Sequence, residues 1–167
     1  MLTLHAAETF DGIRLRGGFE FLSRTREALA LLRPTSGFTE IQSNIRLIRQ
    51  GRRSGMKAWA KEPTFVVGKP TWKHSAVWYA GAIAHDAYHA RLYAEAKNTS
   101  RGLEPDADSW TGIEAEKKCL GFQREILLEL NADTHTIFYV DTWRENPTYQ
   151  GRNRGWKSWL DYHKRWW

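Results

Sequence analysis

Residues 73–97 read KHSAVWYAGAIAHDAYHARLYAEAK. This is the clearest helix in the chain. Helix formers fill it, Ser75 or Thr71 is placed to cap its start, and the loop residues NTSRGLEPDAD follow it. At 100° per residue Trp78, Ala82, His85, His89, Leu92 and Ala96 share one stripe. His85 and His89 therefore point toward the face that will be buried, about one turn apart, so both imidazoles can reach one ion. Asp86 lies off that stripe by about 100°.

A second amphipathic helix is predicted from about Ser109 to Asn131. Its apolar face collects Ile113, Cys119, Leu120, Ile126, Leu127 and Leu130, and its polar face Glu114, Lys117, Lys118, Arg124, Glu125 and Glu129. Glu116 and Gln123 interrupt the pattern, because both project into the apolar face, two turns apart. An ionised carboxylate buried without a partner is costly, and a metal ion is one partner that satisfies it. Zinc is held by His, Asp, Glu or Cys side chains, with one position left open for water in catalytic sites. His85, His89 and Glu116 are thus the candidate metal ligands. Asp86 is the candidate general base, because a carboxylate beside the site can take a proton from a water molecule. The alternatives are ordinary ones. The histidines can be satisfied by neighbours, Asp86 can pair along an exposed helix face, and Glu116 can pair with Lys, Arg or Gln123. Glu114 replaces Glu116 if the helix starts in another phase. Tyr88 and Tyr93 are candidate oxyanion donors or simple packing residues. His74 and His135 are expected on the surface, and Cys119 as a small buried hydrophobe.

The run AHDAYHARLY, followed some thirty residues later by EAEKKCLGFQREILLELNAD, resembles the glutamate-ligand branch of the zincin metallopeptidases. The resemblance covers about residues 73–133. It implies an α+β fold in which an N-terminal helix and a small sheet precede the active-site helix and the glutamate-bearing helix. It also implies Zn²⁺ on His85, His89 and Glu116, with a peptide or protein as substrate, and an edge strand lining the cleft, for which TFVVG (64–68) is the candidate. The family's HExxH is here His85-Asp86-Ala87-Tyr88-His89, so the catalytic carboxylate is one methylene shorter.

The rest of the chain is organised around these two helices. An amphipathic helix is expected over about Phe19–Arg33, stopped by Pro34. FTEIQSNIRLIR (38–49) alternates loosely and predicts a strand. MKAWAKEP (56–63) predicts a returning strand after the basic turn QGRRSG. HTIFYV (135–140) fits either a strand or more helix. A short helix is expected from about Gly155 to Trp167 in the Trp-rich tail. No linker divides the 167 residues, so one domain, 1–167, is expected.

Composition narrows the function. The net charge is +6, with cations concentrated in 45–57 and 152–165, and nine tryptophans are present, five of them in the last quarter. Nucleic acid or another anionic partner is therefore a competing assignment, on a scaffold whose metal site is inactive or structural. A third assignment takes His85-Asp86 as the HD pair of a metal-dependent phosphohydrolase, with His74 and Asp133 as further ligands. The longest apolar run, Ala76–Ala84, is far short of the ~20 residues that span a bilayer. The N-terminus carries no secretory pattern, so a cytoplasmic location is expected. One cysteine excludes an internal disulfide framework and any cluster of several cysteines.

Overall fold

The computed structural model describes residues 6–145. The chain opens with a hairpin of β1 (Ala6–Phe10) and β2 (Ile13–Gly17). Asp11 and Gly12 form its two-residue turn, both at positive φ (45° and 84°), the backbone that a tight hairpin of this hand requires. Helix α1 (Phe19–Leu32) follows and buries Phe21, Leu22, Thr25, Ala28, Leu29 and Leu32. Residues 38–44 are not strand: they form α2 (Phe38–Asn44), and only Leu47–Gln50 pairs in the sheet, as β3. Strand β4 (Gly55–Lys57) is shorter than expected, and β5 (Thr64–Val67) lies where the sequence placed a strand.

The sheet order is β1-β2-β3-β5-β4. β2, β3 and β5 run parallel, while β1 and β4 are antiparallel edges. This corrects the expected edge: TFVVG is interior, inserted between β3 and β4, and the edge strand is β4. One face of the sheet is apolar, with Ile13, Leu15, Ile48, Met56, Phe65 and Val67 buried against the helices. Residues of the opposite pleat alternate with them, as period two requires.

Helices α3 (Lys69–Trp72), α4 (Ala76–Thr99), α5 (Asp108–Thr111), α6 (Ile113–Glu129) and α7 (Thr134–Glu145) complete the described chain. Ser75, not Thr71, caps α4: its Oγ accepts the Trp78 N–H at 3.0 Å. Thr71 is buried, with its hydroxyl against that of Ser54. α4 is buried on several sides and packs on α1, α2, α5, α6 and the β4–β5 end of the sheet. Five buried alanines along it keep its profile narrow. Where α4 crosses α6, Gly81 leaves no room: a Cβ there would sit 2.9 Å from Leu127 Cδ2. The expected helix 109–131 is two helices, broken at Gly112, whose ψ of 178° is extended. Ile113, at the start of α6, is exposed rather than on the apolar face. Residues 135–140 are helical, within α7. The expected helix 155–167 lies outside the described residues. Among the described residues no helix is long and apolar enough to cross a membrane.

The α4–α6 crossing should tolerate no branched side chain at Gly81. Gly81→Val is expected to lose about 1–3 kcal/mol through overpacking. Thermal unfolding should register this as a fall of several degrees; an unchanged midpoint would mean that the helices are not in this contact.

Candidate metal centre

α4 presents His85 and His89, and α6 presents Glu116, Cys119 and Gln123 from one face at i, i+3 and i+7. The three expected ligands converge. His85 Nε2 and His89 Nε2 are 3.1 Å apart. His89 Nε2 lies 3.1 Å from Glu116 Oε2, and His85 Nε2 lies 3.3 Å from Glu116 Oε1. Glu116 is 1% exposed.

The outward nitrogens fix how these groups meet. His89 Nδ1 lies 2.6 Å from the Trp110 carbonyl, which can only accept, so Nδ1–H is the donor. His85 Nδ1–H donates to Gln123 Oε1 at 3.1 Å. Each imidazole therefore turns an Nε2 lone pair toward the other and toward a carboxylate. Two ring nitrogens and two carboxylate oxygens at this spacing repel unless a cation lies among them. A shared proton can be that cation, and so can a metal ion. Burial works to lower the pKa of His89, but Cys119 and then Glu116 more than reverse it and hold the imidazole well above its ordinary value. Burial likewise works to raise Glu116, and the two imidazoles hold it well below the usual carboxylate range. A metal ion fits the same place. Ligands about 2.0–2.1 Å from a tetrahedral zinc are about 3.3 Å apart, which matches this triangle. The Trp110 and Gln123 contacts supply the outer hydrogen bonds that fix the tautomer of metal-binding histidines.

Cys119 is the group that sequence reasoning undervalued. It is fully buried, and its Sγ and ligand nitrogens of His85 and His89 lie within 4.8 Å of one another, so it too could reach an ion. Burial pushes its thiol up in pKa. Its place three residues after Glu116 on the same face was the available signal. Asp86 is nearer the centre than its helical angle suggested, and lines the same cavity as the two histidines and Glu116. Burial pushes its carboxyl up to about 6, with His85 and His89 opposing and Glu116 adding to the rise. Gln123 Nε2 is buried with no hydrogen-bond partner among the described residues.

The cavity holds about 440 Å³ and opens between α4 and the β4 edge, where Gly55, Met56, Trp59 and Trp110 form its walls. The remaining candidates stand elsewhere. Glu114 is exposed and paired with Lys117 at 2.9 Å, so it is no substitute for Glu116. Tyr88 packs against Phe122, and Tyr93 donates to Glu104 at 2.8 Å. His74 lies against Trp78 near Asp133 at the start of α4, and neither lines the cavity, so the further ligands of an HD phosphohydrolase do not assemble. No protein-family model, curated protein or solved structure matches this chain.

A metal ion binding through His89 Nε2 would compete with a proton for the same lone pair. Since Cys119 and Glu116 raise the His89 pKa, zinc affinity should climb with pH, about tenfold per unit while one proton is displaced. Competition titrations with a chromogenic chelator at several pH values would measure this; a flat profile would remove His89 from the ligand set.

Proposed function

We propose that this chain is a zinc-dependent hydrolase of the zincin type that cleaves peptide bonds. The observation that carries the reading is the triangle of His85 Nε2, His89 Nε2 and Glu116, with each Nδ1 already committed outward as a donor. Those three residues would hold the ion, with Cys119 behind them. When bound, zinc would polarise a carbonyl and lower the pKa of water at its open position.

The protein's own groups supply the rest. Asp86, half-buried and raised to about 6, is matched to accept a proton near neutral pH. It takes the proton of the attacking water as the new C–O bond forms. It returns that proton to the amide nitrogen as the C–N bond breaks. Strand β4 offers beside the cavity an edge that is unpaired among the described residues, and an extended peptide can add there as a further strand, held by main-chain hydrogen bonds. This is the cleft-lining role that the family resemblance implies for an edge strand, carried here by residues 55–57. Trp59 and Trp110, edge to face at 5.8 Å between centroids, wall the same side and favour an apolar group on the substrate.

Protein purified without a histidine tag should carry about one equivalent of zinc, and His85→Ala and Glu116→Ala should lose it with their fold retained by circular dichroism. Asp86→Asn should keep zinc and lose at least about a hundredfold in peptide hydrolysis. Zinc retained in both ligand variants, or hydrolysis retained in Asp86→Asn, would overturn the assignment.

A further inference from the structure

The five strands carry four cationic residues, Arg14, Arg16, Arg49 and Lys57, and a single acid, Glu8. The pleat separates them completely. Glu8 shares the helix-side pleat with Leu15, its cross-strand partner, and pairs with Arg26 of α1 at 2.7 Å. All four cations lie on the opposite face, and Arg16 and Arg49 are direct cross-strand neighbours. Like charges placed side by side cost stability, so this arrangement calls for an anion over it. Arg14 is paired with Glu62. Arg16, Arg49, Lys57 and also Arg52 have no acidic partner among the described residues.

The face is not charge alone. A groove of about 360 Å³ runs along the β4–β5 end, lined by Arg49, Arg52, Lys57, Val66 and Trp59. Trp59 is 55% exposed, and it walls both this groove and the metal cavity.

We infer that this outer sheet face binds single-stranded nucleic acid. Its phosphates lie on Arg16, Arg49, Arg52 and Lys57, and a base stacks on Trp59. The combination selects among anions. A duplex hides the faces of its bases and gains nothing from Trp59. A single strand offers both a charged backbone and stacking faces, and a platform about 20 Å across accommodates several nucleotides. Because Trp59 is shared, the strand would run to the rim of the metal cavity. Ser54, Gly55 and Met56 line both as well, but the cations lie outside the cavity's lining and His85, His89 and Glu116 outside the groove's, so either assignment can fail alone.

The test is fluorescence anisotropy on the full chain with a labelled oligothymidylate of about 15 nucleotides. The same titration is run with a matched duplex, a polyglutamate peptide and phosphatidylserine vesicles. The oligothymidylate is expected to bind tightest, with affinity falling steeply as salt rises. Arg16→Gln/Arg49→Gln/Lys57→Gln should lose at least tenfold and lower the salt slope by about two, since each phosphate contact on a single strand contributes about 0.7. Trp59→Ala should lose about tenfold and Trp59→Phe should restore most of it. His85→Ala should bind as the parent does. Unchanged binding in the triple variant would overturn the assignment, as would tighter binding of duplex, polyglutamate or vesicles, or indifference to Trp59→Ala.

Discussion

A carboxylate with 1% exposure between two helices is the constraint around which this molecule is arranged. Glu116 cannot stay ionised in that position without positive charge at hydrogen-bond distance, because the desolvation cost of a lone buried ion exceeds what a small domain can absorb. His85 and His89 meet that need only if α4 and α6 approach closely, and Gly81 with the row of alanines on α4 permits the approach. Their rings must also be turned correctly. That orientation comes from Gln123 on α6 for one ring and from the Trp110 carbonyl for the other. The break at Gly112 matters here. It ends α5 before α6 begins, so the Trp110 carbonyl is left out of a continuous helix and is available to an imidazole.

The sheet serves this core on one side and solvent on the other. Its inner pleat supplies Ile13, Leu15, Ile48, Phe65 and Val67 as a floor for the helices. The insertion of β5 between β3 and β4 carries the short β4 to the edge, beside the mouth of the cavity. Trp59, just beyond β4, then belongs to two surfaces at once. The His–Glu cavity and the basic groove thus meet at Ser54, Gly55, Met56 and Trp59.

Much of the site could be read from the chain itself. The spacing of His85 and His89, and the intrusion of Glu116 and Gln123 into an apolar stripe, are local periodic signals, and helices expressed them directly. Cys119 obeys the same periodicity, but a thiol on an apolar face is indistinguishable from core until its neighbours are known. Residues 38–45 show how a period can be misassigned. Phe38, Ile41 and Ile45 are spaced i, i+3 and i+7, a helical pattern, yet with Thr39 between them and Leu47 beyond they also pass for loose alternation. The opening hairpin carried its own signal in Asp11-Gly12, flanked by short alternating segments, and that pair is enough to specify a tight turn. The identity of the edge strand was never local. It depends on which strand β5 displaces, a choice made by packing between distant segments.

The groups around the proposed metal position all come from residues 85–123, and His89 and Glu116 are 27 residues apart. Within the sheet β1–β2, β3–β5 and β4–β5 pair over shorter separations, and only β2 and β3 meet across two intervening helices. Closing a loop of a few tens of residues costs little more entropy than closing a shorter one, and local contacts form faster than distant strand pairings. The helical hairpin can therefore bring its ligands together without waiting for β2 and β3 to pair. An ion captured at that stage would act as a clamp on the folding chain, and the supply of metal during synthesis would influence how quickly the rest of the protein finds its register.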